Sequence, residues 1–413
     1  MIITTNISVS VFALILFSGE LIASEKSSER LQLSTPEHSL QVYQSEISRL
    51  ESEYGAYHPA LREVLLKLGE WHRSRGKFLE ATQTYERALH VGKVDKGMQD
   101  TSQIEIVELL VESYSLLQDW YSLDKNLHYL LWLHRRNYDT EDDRLVSMLE
   151  RVARWYTRAY QLHHDGEALS YLVKADDLYD EAVRNTTIQY GDNSKQLVKL
   201  LQASATINYK IANDVNDVFR MSYRDIREAM VPNKRATTYM NEIATRDYYF
   251  DQSFYKGKQS LNRIIDIYRE GLPGSAVRYA QALVYQGDFY LALSRKWNAM
   301  NNYKKAYSVL IEHGVNVKEV KVIFGEPRRL TPFNIPHKES QVLAEARYVE
   351  ASFNVPKDGW PRDIKIVGTN PEDSHELRTQ GRHAIASTRY RPRFEHGKPV
   401  TTERVSMRYV FRD

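Results

Sequence analysis

A metal site is the first chemistry that the sequence suggests, because the run HHDGE at residues 163–167 places two imidazoles beside two carboxylates. Imidazole nitrogens and carboxylate oxygens are the usual zinc ligands outside cysteine. Adjacent histidines rarely face one ion, however, and the run interrupts two segments of helical periodicity. A solvated loop is therefore the favoured interpretation, and we expect no bound metal.

Other catalytic patterns are missing from the sequence. The pair Gly257-Lys258 lacks the leading glycine and the following Ser or Thr of a phosphate-binding loop. The motifs G-x-S-x-G, H-E-x-x-H and G-x-G-x-x-G do not occur. Because the chain contains no cysteine, thiol chemistry is excluded. The sequence thus predicts a protein that is not an enzyme, with no cofactor and no small-molecule substrate.

A basic segment near the C-terminus, TRYRPRFEHGKPV at residues 388–400, interleaves arginines with aromatic rings. Such a pattern can stack and neutralise single-stranded nucleic acid. The 56 Lys and Arg of the whole chain nearly cancel its 54 Asp and Glu, so no global field favours a polyanion. The export signal predicted below also separates the chain from nucleic acid, which we exclude as a partner.

The elements that position these residues are mostly helical and repeat along the chain. Gly69, Ala81 and Tyr85 in the first clear unit have the same spacing as Gly287, Ala299 and Tyr303 in the last one, with the alanine 12 positions after the glycine in each. Small residues at these positions allow two antiparallel helices to cross closely, and the tyrosine fills the adjoining space. The pattern resembles the tetratricopeptide repeat (TPR) family in a longer-period form, over about residues 58 to 312. It predicts an α-α superhelical solenoid.

The TPR resemblance implies a concave face that binds partner peptides. Glu105, Glu108 and Glu112 occur at i, i+3 and i+7, which places them on one face of one helix. Two glutamates of the first unit occupy matching offsets. These side chains predict an acidic groove that grips a basic partner, and a solvated acidic face is the alternative. The candidate groove residues are Glu63, Glu70, Arg73, Glu105, Glu108 and Glu112.

The N-terminal segment contains an apolar run at residues 7–19 that is too short to span a bilayer comfortably. Small residues at 23 and 24 follow it, as before a signal-peptidase cleavage point. We expect residues 1–24 to be a cleaved signal peptide and residues 25–335 to form the helical repeat domain. An uncleaved anchor is the alternative. Without cysteine, the exported chain has no disulfide and depends on core packing alone.

The hydrophobic period changes from 3.6 to 2 after about residue 336. Residues 348–355 alternate as a strand, Asp358-Gly359 is a strong hairpin signal, and residues 363–367 alternate again. Helical spacing returns after Asp373 or Ser374, either of which can cap the helix. Alternation over residues 405–411 completes the order. Residues 336–413 are therefore predicted to form a small α+β (ββαβ) domain.

This unit resembles the C-terminal domain of the TonB family, the periplasmic energy transducers of Gram-negative bacteria. The resemblance rests on strand 348–355, the Asp358-Gly359 turn, residues 363–367, Asn370-Pro371 and the segment STRYRPRFEHGKPV. It implies that the last strand, Arg404 to Phe411, binds a short receptor segment by strand addition, with a basic rim that favours an acidic or carboxylate-bearing partner. The predicted edge and rim residues are Arg389, Arg391, Arg393, Arg404, Ser406, Arg408 and Val410.

The chain departs from the TonB pattern because a helical repeat replaces the long Pro-rich spacer. Its 12 prolines are scattered through 413 residues. We therefore expect a periplasmic adaptor that binds protein partners and is linked to TonB-dependent transport, its partners being outer-membrane TonB-dependent receptors or envelope transport components. The alternative is an energy transducer anchored in the inner membrane and facing the periplasm.

Overall fold

The computed structural model describes residues 36–162, 168–228, 235–270, 276–330 and 347–411. The predicted signal peptide, the run HHDGE and the predicted domain boundary at 335/336 lie outside these residues and stay predictions. Among the helices in these ranges, none is long and apolar enough to cross a membrane. Within the same ranges, no three His, Asp or Glu side chains are grouped to hold a metal ion.

The described chain is mainly helical, as the periodicity predicted. Most helices have 15 to 23 residues, whereas α8 and α9 have 34 and 36. The helices are α1 Pro36–Tyr54, α2 Ala60–Ser74, α3 Phe78–Lys96, α4 Gln103–Leu117, α5 Trp120–Asn137, α6 Asp143–Leu162, α7 Ala168–Tyr190, α8 Lys195–Glu228, α9 Arg235–Glu270, α10 Ala276–Ala292, α11 Lys296–Glu312, α12 Val317–Phe324 and α13 His375–Ala386.

The strands form three small antiparallel sheets in the C-terminal part of the chain. The largest has three strands in the order β3-β2-β7, while β1 pairs with β4 and β5 pairs with β6. The strands are β1 Arg328–Arg329, β2 Arg347–Val355, β3 Arg362–Asn370, β4 Tyr390–Arg391, β5 Arg393–Glu395, β6 Lys398–Val400 and β7 Thr402–Phe411. The predicted order of two strands, a helix and a final strand is present, with the short strands β4, β5 and β6 between the helix and the final strand.

The chain folds into two compact units, Leu31–Gln286 and a second unit that contains Gly287–Asp413. The division between these two units falls inside α10. The physical reason is that the end of α10, together with α11 and α12, shares a core with the C-terminal strands. The tail is therefore one packed body with the last repeat helices.

Steric contact at the predicted glycines explains how the repeat helices pair. A Cβ atom placed on Gly69 would lie 2.3 Å from Cε1 of Tyr85, and one on Gly287 would lie 2.4 Å from Cε1 of Tyr303. Only glycine admits the tyrosine ring at this distance. The turn seven residues later is left-handed in both pairs, at Gly76 (φ +73°) and at Ser294 (φ +64°). The TPR-type helix pairing predicted from the spacing is thus present in both helix pairs, α2 with α3 and α10 with α11.

The ββαβ part has its core on one face of the three-stranded sheet. Alternate residues of β2 from Val349 to Val355 are buried, together with Leu377 and Ile385 of α13. Gly381 brings α13 close to the sheet, since a Cβ there would lie 2.8 Å from Cγ1 of Val349. Of the two predicted caps, Ser374 is the one used: its Oγ accepts a hydrogen bond from the Leu377 N–H at 3.3 Å. On the other face, β2 carries Glu350, Ser352 and Asn354.

Candidate protein-binding surfaces

Three first helices of the repeat body, α2, α4 and α6, are joined by ion pairs between neighbours. Arg73 of α2 lies 2.7 Å from Glu112 of α4, and Arg151 of α6 lies 2.7 Å from Glu108 of α4. All four side chains keep a fifth to two fifths of their surface exposed. We call this the charged helix surface. The structure thus brings together three of the predicted groove residues.

The remaining predicted groove residues lie at the margin of the charged helix surface. Glu63 pairs with Lys67 of its own helix at 2.7 Å, and Glu70 and Glu105 are exposed. The charge of the surface alternates because arginines from adjacent helices neutralise Glu108 and Glu112. The prediction of an acidic groove is therefore wrong for those two positions. The pairing of Arg73 with Glu112 could have been predicted in part, because both residues occupy groove positions in the repeat pattern.

Two open depressions adjoin this surface and share Glu108. The larger, about 550 Å³, is lined by Arg62, Glu105 and Tyr138 among others. The smaller, about 310 Å³, lies against α6 beside Arg151. Both mix acidic and basic side chains, and the larger one also has the ring of Tyr138. This lining suits an extended peptide that carries charges of both signs.

The sequence predicted that the arginines of the basic segment form an exposed rim, but Arg389 and Arg391 are buried. Arg391 is only 1% exposed, and its Nη1 lies 3.1 Å from Oδ2 of Asp288. The Tyr303 hydroxyl donates to Oδ1 of the same carboxylate at 2.8 Å. Burial raises the pKa of Tyr303 well above its usual range. Phe394 completes the cluster, with its ring centroid 5.4 Å from that of Tyr303.

Arg389 is also buried, and it bonds to backbone rather than to solvent. Its Nη1 donates to the Leu291 carbonyl at 2.8 Å and its Nε donates to the Asp358 carbonyl at 3.2 Å. The basic-rim prediction is therefore wrong for Arg389 and Arg391, because both guanidinium groups are used inside the fold. Arg393 is half-buried and pairs with Glu395 at 2.9 Å in the β5-β6 hairpin. Periodicity did not reveal Asp288 as the partner of Arg391, although Asp288 follows Gly287 as Glu70 follows Gly69.

Strand β7 lies at one edge of the three-stranded sheet, as the family resemblance implied. The exposed residues Arg404, Ser406, Arg408 and Val410 all belong to it. From Val405 to Phe411, β7 pairs residue by residue with β2 and shows no register shift. The opposite edge strand, β3, has two register shifts against β2. A regular edge is the better template for an added strand, because bulges interrupt the row of unpaired N–H and C=O groups.

The outer face of β7 contains one fixed cation. Arg408 is in register with Glu350, and its Nε donates to Oε1 of that carboxylate at 3.1 Å. Its guanidinium carbon lies 4.3 Å from the ring centroid of Tyr348. The hydrogen bond to Glu350 raises the pKa of Arg408, so the side chain stays charged at every physiological pH.

The fold and these surfaces define a class of protein: a mainly helical TPR-like repeat protein with a small strand-containing C-terminal part. No model of a known protein family matches the chain, and no curated protein matches its sequence. Solved structures do show similarity, at identities that bear on the fold alone.

Three of these structures illustrate the similarity. BtubC (BKLC) from P. vanneervenii is 16% identical, with a TM-score of 0.31, over 68% of this chain and 93% of that one. A tetratricopeptide repeat protein from Parabacteroides merdae is 17% identical, with a TM-score of 0.22, over 69% and 97%. The C-terminal part of a TPR repeat-containing protein from Cytophaga hutchinsonii is 12% identical, with a TM-score of 0.25, over 70% and 97%. The repeat assignment itself rests on the glycine–tyrosine contacts described above.

Proposed function

We propose that this chain is a non-enzymatic adaptor of the cell envelope that binds one protein at strand β7 and another at the charged helix surface. The single observation that carries the proposal is the regular edge of β7 from Val405 to Phe411, which no strand pairs with among the described residues. An added strand would complete the row of N–H and C=O groups along this edge.

The character of the β7 edge supports a binding role over a passive one. Natural proteins blunt unused edges with bulges, prolines, inward-pointing charges or charged side chains along the edge. Between Val405 and Phe411 there is no proline and no register shift, and the single charged residue, Arg408, is paired with Glu350 of β2. This segment keeps the features that an incoming strand needs.

A role in TonB-linked transport in the periplasm is the finer part of the proposal. It is supported by the sequence resemblance and by the placement of β7 as an edge strand next to β2. The proposed partners are outer-membrane TonB-dependent receptors or envelope transport components. The alternative is an anchored energy transducer in which residues 7–22 remain in the inner membrane. N-terminal sequencing of the mature protein separates the two, since a start at residue 24 or 25 eliminates the anchor.

The test uses the full chain and synthetic peptides from receptor segments, followed by hydrogen exchange. A peptide that adds as a strand should slow exchange at alternate amides of β7 and leave β3 unchanged. Protection at β3, or protection at neither edge across the peptide set, would contradict the proposal. Binding at the charged helix surface is tested separately by comparing proteins captured by the wild-type chain and by a Glu105→Lys variant.

A further inference from the structure

The outer face of β7 carries a chemical preference for its partner, and this inference rests on the proposed strand addition. We propose that Arg408 selects partner strands that carry Asp or Glu at the position facing it. Strand addition alone reads only backbone, so sequence preference must come from side chains along the edge.

The position of Arg408 makes it the source of that preference. It is the only charged residue between Val405 and Phe411. The residues two positions away on the same face, Ser406 and Val410, are neutral and exposed. A partner strand therefore meets one cation along the regular part of the edge. A charge on the partner acts strongly at one register position and weakly two residues away.

The guanidinium of Arg408 is fixed in place but not saturated. Glu350 holds it from the β2 side through Nε and Nη2, and the Tyr348 ring lies beneath it. Arginine has five N–H donors, so the Nη1 group remains available to a second carboxylate. About half of the Arg408 side chain is exposed, at 49%. A facing acid would complete a row of carboxylate, guanidinium and carboxylate across three strands.

The expected size of the preference follows from cross-strand pairs in sheets. Opposite charges directly across a sheet favour pairing, and like charges oppose it by a similar amount. We expect glutamate facing Arg408 to tighten binding roughly two- to fivefold over alanine, and lysine to weaken it by a similar factor. Raising the salt concentration should reduce both effects, since the row is exposed to solvent.

The experiment scans one acidic residue through successive positions of a peptide that protects β7 in the full chain. Affinity should rise at one position and be nearly flat at its immediate neighbours, which face the other side of the sheet. In the Arg408→Gln variant the maximum should disappear, and in Arg408→Glu a lysine at that position should be preferred instead. Arg362→Gln is the matched control, because Arg362 is an exposed arginine on the β3 edge, paired with Asp358 at 2.9 Å.

The outcomes separate this inference from the proposed function. Peptides that protect β7 but give a flat scan, or a maximum that survives in Arg408→Gln, would overturn charge selection and leave strand addition intact. Charge selection by Arg408 would also be overturned if Arg362→Gln reduced the affinity maximum as much as Arg408→Gln does. If no peptide protects β7 in the wild-type chain, strand addition fails and the selection fails with it.

Discussion

The first and the last matched repeats share one steric device. In each, a glycine on the first helix lets a tyrosine of the second helix approach to a distance that any Cβ would block, 2.3 Å at Gly69 and 2.4 Å at Gly287. Tyr85 and Tyr303 are both fully buried. Packing inside a repeat is therefore the same at both ends of the array, so differences between the repeats arise from their surroundings.

The surroundings differ in where the arginine comes from. In the first repeat the helix supplies Arg73, which pairs with Glu112 in a half-exposed position. In the last repeat the matching position is Leu291, which carries no charge. There the arginine is Arg391 of the C-terminal segment, which is buried and pairs with Asp288. Terminal repeats of solenoids need a cap for their exposed face. Here the cap is the basic segment, which explains why two of its arginines are inside.

The largest expected effect comes from removing the acid of the buried pair. Asp288→Ala leaves the Arg391 charge buried without a counterion, which should lower the free energy of unfolding of the second unit by about 3–5 kcal/mol. Chemical denaturation of the full chain, with hydrogen exchange to assign the unit, measures it. Glu112→Ala is the matched control and should cost far less. Equal losses would show that burial does not distinguish the two pairs.

The next effect tests the shared glycine. Gly287→Ala and Gly69→Ala should each force the tyrosine ring to move, at a cost of about 1–3 kcal/mol in the free energy of unfolding. Gly287→Ala should cost more, because Tyr303 is held by Asp288 and by the Phe394 ring, whereas the Tyr85 hydroxyl neighbours the half-exposed Arg73 side chain. Thermal unfolding of both variants checks the order, and a larger loss at Gly69 would contradict it.

A smaller effect is expected from the half-exposed pair of the first repeat. A double-mutant cycle with Arg73→Met and Glu112→Gln should give a coupling free energy of about 1 kcal/mol or less, since solvent screens both side chains. The coupling should shrink further at high salt. A value above about 2 kcal/mol would mean that the charged helix surface is as rigid as the buried cluster.

The last effect appears only at alkaline pH. Burial raises the pKa of Tyr85 to about 12, against about 10 in an unfolded chain. The unfolded chain thus loses this proton first, so stability is unchanged below pH 10 and falls as the pH rises from there through 12. Ultraviolet titration of the wild type against Tyr85→Phe should show one tyrosinate missing near pH 12. Burial raises the pKa of Tyr303 well above its usual range. In Tyr303→Phe, the tyrosinate lost relative to the wild type should therefore be one that forms only when the protein unfolds.

Much of the architecture could be predicted because it is written in local periodicity. The spacing of Gly69 and Tyr85 identified a helix pair, and the alternation around Phe353 identified a strand. Ser374 was one of two equivalent candidates for the cap of α13. Local physics left that choice open, since both side chains can accept the same N–H bond.

The burial of Arg391 could not be predicted in the same way. An arginine in a basic, proline-containing stretch is ordinarily a solvated residue, and its partner Asp288 is 103 positions away in the chain (391 − 288). Two residues so far apart in the chain produce no periodic pattern or motif in the sequence from which their contact could be predicted. The edge position of β7 came from family resemblance, while alternation alone would fit a central strand equally well.

The Asp288–Arg391 pair also bears on how the chain is made. A ribosome adds roughly 5–20 residues each second, and domains tend to fold as they emerge. The helices around Gly287 therefore wait roughly 5–20 s before the arginine that completes them has been synthesised. During that interval Asp288 lacks its arginine and Tyr303 lacks the Phe394 ring, so the nascent last repeat exposes surface that the finished chain buries.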